Sequence, residues 1–462
     1  MGWKVDVVGR SSSVLVLFVL PLVCGVGFHG IPGDYCRARK HDECCRERYD
    51  DCSVQIGGTL CYCDEFCLNK DDPYDLHDDC CPDYRELCLG ILPQPPPEHP
   101  WPNDEPAEGP DPLTRGCQTA DGVSMPEFTS YKNNCNKCTC KGSRFECEKD
   151  LCLVEDEAIN KINQGVEGFS WRATNYSKFW GWKAKDGVMM KTGTAKPAFI
   201  MYPIHLQPEL SLIPVEFDAR MKSDWRGMIS RPRDQGWCSA SWAFSTVAVA
   251  QDRLAIMTRE HSLVLSVEQM VECVHINGDT CNKPQQVHQA WNYLRRTGVV
   301  REECLPYQSG KLGNTRECQV PGGSTNFLQC QNRNLYKMEP AYRISSKEED
   351  IQWEIMSNGP VLGIMRVTPE LFMYASGVYT CREQQQDERD DVPLHSVRLI
   401  GWGETSLDPG ARPTKYWVVA NSWGEDWGEN GYFKIRRGTD ECGIESYILA
   451  VRPQMTSLMY GN

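Results

Sequence analysis

The sequence predicts an α+β domain of two halves behind a series of small disulfide-rich modules, and three observations predict it. The cysteines fall in separate blocks, two of them N-terminal to a cysteine-free stretch. A proline-rich run divides the first block from the second. Three motifs, at 234–245, 395–403 and 421–424, follow one another in an order that places the C-terminal half in the α+β class.

The elements can be justified from the N-terminus onward. Lys4 and Arg10 flank the start of the apolar stretch 14–23, which ends in small residues around Gly25 and Gly27. That is the pattern of a signal peptide over 1–25, and the run is too short to span a bilayer. Cleavage after Cys24 would leave 24 of the 25 cysteines, an even number that suits complete pairing. Such a density, without histidines spaced to share a metal, indicates an oxidising compartment, so a secreted, extracellular protein with no metal and no cofactor is expected. The 49 Lys and Arg against 63 Asp and Glu give a net charge of -14, which repels nucleic acid and anionic membranes at long range. The local pair Arg295-Arg296 reads as a solvated helix face.

Ten cysteines between Cys36 and Cys88 cannot rest on a hydrophobic core and must be held by cross-links. Zinc is the rival reading, which secretion disfavours. The run Cys61-Tyr-Cys63-Asp-Glu-Phe-Cys67, then Cys80-Cys81-Pro-Asp-Tyr, resembles a somatomedin B module over 33–90. Residues 91–116, with nine prolines from Pro93 to Pro112, form a stiff spacer. The second block, 117–152, has a Cys-x-x-Cys-x-Cys core at Cys135 to Cys140 and resembles a short von Willebrand factor type C module. Residues 153–212 lack cysteine, carry a glycosylation sequon at Asn175, and include Phe179-Trp180-Gly-Trp182. By position and by the run 159–164 they resemble the propeptide of cathepsin B.

The chemistry sits in 213–454. Residues 234–245 read Asp-Gln-Gly-Trp-Cys-Ser-Ala-Ser-Trp-Ala-Phe-Ser; His395-Ser-Val-Arg-Leu-Ile-Gly-Trp-Gly and Asn421-Ser-Trp-Gly follow, with Cys442-Gly-Ile-Glu-Ser near the end. These motifs resemble the papain-like cysteine proteases, and cathepsin B among them. The resemblance implies a helical half and a β-rich half. It also implies that Gln235 takes the oxyanion-hole position, Ser241 the nucleophile position, His395 the base and Asn421 its orienting partner, with Cys238 bridged to Cys281. Family nucleophiles are cysteines stored as thiolates at a helix N-terminus beside an imidazolium. A serine there is a poor nucleophile at its free pKa, so these positions are expected to be vestigial.

Further departures point the same way. The family's Asn-Gly-Gly is here Asn282-Lys283-Pro284, expected to crowd the substrate cleft, and Ser239 stands where the family has glycine. No histidine occurs between Cys304 and Cys330, where cathepsin B carries the paired histidines of its occluding loop. Glu445 matches either the base of the substrate pocket or a surface strand. Cys442 is expected to be unpaired, with Cys381 the odd member.

In its order of modules the whole chain resembles the tubulointerstitial nephritis antigen family. That resemblance implies a secreted matricellular or basement-membrane glycoprotein, inactive as a peptidase, that binds extracellular matrix proteins and cell-surface receptors such as integrins. Two rivals remain open: a weak hydrolase using Ser241 and His395, and a decoy that binds protease substrates or inhibitors.

Overall fold

In a computed structural model, the structure describes parts of 35–89 and most of 116–454, leaving out 90–115, 120–121, 166–168, 199–200, 275–279, 321–322, 326–329, 331–332, 382–393 and 406–412. The expected signal peptide and most of the proline spacer lie outside the described residues. The chain divides into two compact units, 1–132 with 140–144, and 133–139 with 145–462.

In the first unit, sulfur takes the place of a hydrocarbon core. Five disulfides, Cys36–Cys63, Cys44–Cys88, Cys45–Cys52, Cys61–Cys81 and Cys67–Cys80, surround the buried Tyr84. An antiparallel hairpin joins Ser53–Ile56 to Thr59–Tyr62, and the carboxylate of Asp83 accepts the N–H groups of Tyr35, Cys36 and Arg37. The sulfurs of Cys36, Cys63 and Cys81 lie within 4.8 Å of one another, but each is bound in a cystine and offers no thiolate to zinc. Cys117–Cys140 closes the part of the second cysteine block that belongs to this unit.

The second unit is built around the helix Ser241–Thr258, which is apolar on nearly all sides and accordingly buried. Trp242, Val247, Val249, Ala250 and Leu254 pack it against the helices Val267–Cys273 and Val287–Arg296, forming the helical half. The other half is a ten-stranded sheet whose centre is the strand Leu394–Glu404, flanked by Val361–Arg366 and Lys415–Ala420. Its core is aromatic: Trp402, Trp417, Trp423, Trp427, Phe372 and Phe433 are all essentially inaccessible. Two buried ion pairs fix the central helix to its surroundings. Arg253 meets Glu354 at 2.8 Å and three backbone carbonyls besides, and Asp252 meets Arg398 of the central strand.

The stretch 153–212 is part of this unit. Trp171–Ala173 pairs antiparallel with Tyr374–Tyr379, Pro203–Ile204 pairs parallel with Tyr342–Ile344, and Phe179 is buried among Trp237, Phe372 and Trp423. One cysteine expectation is corrected: Cys381 and Cys442 are bonded to each other, so neither is odd. The Cys381 N–H donates to Glu441 beside Cys442 at 2.7 Å, which brings the two segments together. Twelve disulfides hold every cysteine among the described residues.

The helix Val267–Cys273 buries Glu268 and Glu272 one turn apart, both facing Arg316 at 3.2 and 3.1 Å. Burial and the adjacent charge of Glu268 push Glu272 up to about 7. A carboxyl raised in the folded state lends stability below its unfolded pKa, and that contribution is lost as pH rises through 7. Melting curves from pH 5 to 8.5 should show the whole chain losing stability relative to Glu272→Gln. The relative change should be on the order of 1 kcal/mol, reduced by the partial exposure of Arg316. Parallel pH profiles would show that Glu272 is ionised throughout.

Candidate functional site

The two halves meet where the central helix begins. Ser241 is its first residue, the central strand carries His395 opposite, and Asn421 follows the end of the strand Lys415–Ala420. The Gln235 N–H donates to the Ser422 carbonyl at 2.9 Å, and a Cys238–Cys281 disulfide anchors the turn before the helix. The structure brings Gln235, Ser241, His395 and Asn421 together, all of them buried.

The imidazole is oriented by one neighbour. His395 Nε2 lies 2.7 Å from Asn421 Oδ1, and because an amide oxygen can only accept, the ring proton sits on Nε2. The Nδ1 lone pair is therefore free, and among the described residues it has no hydrogen-bond partner. Burial, opposed by the Asn421 bond and reinforced by the charge of Lys191, holds His395 down at about 4. It is neutral at physiological pH. Ser241 Oγ is engaged elsewhere, 3.0 Å from Thr194 Oγ1 and within reach of the Ser396 N–H at 3.4 Å. Thr194 Oγ1 in turn meets Ser396 Oγ at 2.7 Å, so three buried hydroxyls form an uncharged chain.

Thr194 belongs to a segment that fills the cleft. The carbonyl of Met189 accepts from Ser239 Oγ, and that of Met190 from Gln235 Nε2 at 3.4 Å. Lys191 O accepts from Trp423 Nε1 at 2.8 Å, Thr192 O from the Ser241 N–H at 3.2 Å, and Gly193 O from the Gln285 N–H at 2.9 Å. The N–H groups of Thr194 and Ala195 then donate to Leu394 and Gln285. Gly193 is required at the crossing: its φ is 111°, and a Cβ there would lie 2.1 Å from the Ser239 carbonyl oxygen. The Lys191 side chain enters a buried aromatic cage, 4.8 Å from the Trp237 ring and 5.5 Å from that of Phe179, with Asp234 at 3.5 Å. Burial, partly offset by Asp234, lowers this lysine to about 8. Both donors that would face a developing oxyanion, the Ser241 N–H and Gln235 Nε2, are thus occupied by the chain's own carbonyls.

The structure also places the other residues singled out around the cleft. Lys283 and Pro284 are exposed, and it is the next residue, Gln285, that presents both its N–H and its carbonyl to the bound segment. The proline lacks an N–H as expected, but the pairing lies one residue further on. Of the two alternatives for Glu445, the surface strand is excluded: the residue is buried and lies outside any strand. Its buried carboxylate accepts from Trp417 Nε1 at 2.8 Å and from the N–H groups of Gly438 and Asp440 at 2.7 and 2.8 Å. Asn175 lies on an exposed loop. Sequence reasoning passed over Thr194, Ser396, Lys191 and Gln285, and only the Thr192-Gly193-Thr194 run carried any local signal, a glycine between two hydroxyl residues.

Residues 213–452 match the papain family of cysteine proteases. Over 451 residues the chain is 37% identical to a tubulointerstitial nephritis antigen-like protein of Mus musculus, spanning 92% of this chain and 90% of that one. It is 36% identical over 447 residues to the tubulointerstitial nephritis antigen of Homo sapiens, spanning 92% and 88%. Among solved structures, procathepsin B S9 from Trypanosoma congolense superposes with a TM-score of 0.54 at 28% identity, over 66% of this chain and 99% of that one.

The geometry leads to two measurements. In a histidine titration by NMR, His395 should stay neutral from pH 8 to 5 and begin to charge only near 4; a midpoint near 6.5 would mean that its site is open to water. Replacing Gly193 by Ala should expel the segment 189–195. The Ser241 amide, protected in the native chain, should then exchange with solvent at least about tenfold faster, whereas an unchanged rate would show that the segment does not cover it.

Proposed function

The chain belongs to the tubulointerstitial nephritis antigen family, whose protease-like part is of the papain type, and from that premise we propose a secreted matrix glycoprotein that binds rather than hydrolyses. The observation that carries the inactive reading is the bonding of Ser241: its hydroxyl is tied to Thr194 and Ser396, and its N–H to Thr192. Serine attack needs a base within hydrogen-bond reach with a pKa near the working pH. His395 at about 4 is too weak a base, and it makes no bond to Ser241. Losing a nucleophile in another hydrolase lowers kcat by a factor on the order of 10⁶. The hydrolase and decoy readings both need an empty cleft, and this one holds 189–195.

Placement outside the cell is supported by the density of cystines, which persists in oxidising compartments, and by the exposed sequon at Asn175. No helix among the described residues is long and apolar enough to cross a membrane. The binding role is assigned to the cysteine modules within 30–152, acting on matrix proteins and on cell-surface receptors of the integrin kind. Linked modules gain avidity when both can engage at once.

Purified chain should not hydrolyse dibasic or aromatic peptide substrates and should not react with epoxides that alkylate family thiolates. Ser241→Cys should restore little while 189–195 remains in place. Turnover by the native chain that Ser241→Ala abolishes would refute the inactive reading. Deleting 30–152 should remove most of the deposition into cell-derived matrix; if 213–462 deposits as well as the whole chain, the protease-like fold is the binding surface instead.

A further inference from the structure

Many cations of the second unit are held by carboxylates, as Arg233 is by Glu302, Arg253 by Glu354, Arg301 by Glu260, Arg398 by Asp252 and Lys434 by Glu429, and the unpaired ones are mostly scattered along the chain. Four in one surface region form no ion pair among the described residues: Arg295, Arg296, Lys337 and Arg452. Backbone bonds bring their three segments together, and the Arg452 guanidinium lies 5.8 Å from the ring of Tyr342. At the end of the helix Val287–Arg296, Leu294 O accepts from the Met338 N–H at 3.3 Å. The Glu339 N–H donates to Arg452 O at 2.8 Å, and the Gln454 N–H to Lys337 O at 3.1 Å. Gly298, just past the helix, lies so near Lys337 that a Cβ on it would be 2.8 Å from the lysine Cγ. The three arginines are exposed and Lys337 is half-buried.

The bland reading covers only part of this. Arginines in a last helical turn complement the helix dipole, which accounts for Arg295 and Arg296. It does not account for Lys337 and Arg452, which come from other segments. No Asp or Glu occurs in 287–300, 333–338 or 448–454, and Glu339 follows directly on the second of these segments. In a chain of net charge -14, a face with four unneutralised cations is a local exception to the field of the whole molecule.

We propose that this face binds a sulfated glycosaminoglycan. Such a polymer presents sulfates at intervals along an extended chain, and arginine forks bind tetrahedral oxyanions through two parallel hydrogen bonds. The choice of this polyanion over others rests on the extracellular reading above.

The test is binding of the whole chain to immobilised heparin across a salt series, against the variant Arg295→Gln/Arg296→Gln/Lys337→Gln/Arg452→Gln. The native chain should be retained at about 0.15 M salt, and the variant should bind at least about tenfold more weakly with a shallower salt dependence, as fewer counterions are released. A control with four exposed cations elsewhere neutralised, Lys161→Gln/Lys185→Gln/Arg226→Gln/Lys311→Gln, should bind as the native chain does. If the fourfold variant fails to fold, Arg295→Gln/Arg452→Gln replaces it and should still weaken binding measurably. Absence of retention, equal loss in the control, or equally tight binding to phosphatidylserine vesicles would each overturn the proposal. Deposition into heparinase-treated matrix separates the two readings. Undiminished deposition there sinks the glycosaminoglycan site and leaves matrix binding standing, whereas no deposition into either matrix sinks the broader reading.

Discussion

Each carbonyl that the segment 189–193 buries must find a donor, and the cleft supplies one for all five, in order, from Ser239, Gln235, Trp423, Ser241 and Gln285. The first N–H groups of a helix lack partners within the helix and seek an acceptor outside it. Thr192 O answers the Ser241 N–H in that way. The same row of bonds settles the electrostatics. A thiolate at this position would call for an imidazolium beside it, but a serine hydroxyl can donate and accept at once and closes a neutral chain with Thr194 and Ser396. The cation of Lys191 lies in an aromatic cage and discourages a second charge on His395.

Legibility in the sequence followed the range of each signal. Gln235, Ser241, His395 and Asn421 stand in short motifs that a reader can match, and the fold brings those motifs together. Thr194 and Ser396 meet across 202 residues, and no local periodicity marks such a contact. Pro284 was read correctly as lacking a donor, yet a strand needs only some residue at the right place, and Gln285 is there. The surface-strand alternative for Glu445 failed because a charged side chain ordinarily signals exposure, whereas three converging donors make its burial tolerable. The Cys381–Cys442 bond was missed because a likeness to relatives outweighed the even count of cysteines.

The halves hold their relative positions through groups that hydrophobic patterning does not reveal. Asp252 and Arg398 link the middle of the central helix to the strand bearing His395, and Ser230 bonds both members. Buried ion pairs add little net stability, because taking two charges out of water costs about what their attraction returns. They do penalise misalignment, since shifting helix against strand would strand a charge. The pairing Met365 with His395 and Ile364 with Ser396 is thereby kept in register with Ser241.

The two short strands that 153–212 adds to the sheet bear on how the chain meets copies of itself. They are the outermost strands, Trp171–Ala173 at one end and Pro203–Ile204 at the other, three and two residues long. A sheet ending in such stubs offers a neighbouring chain few unpaired N–H and carbonyl groups. Without the segment, the six-residue strand Tyr374–Tyr379 would become an open border along which copies could pair. What resembles a disposable leader supplies both end strands of this sheet.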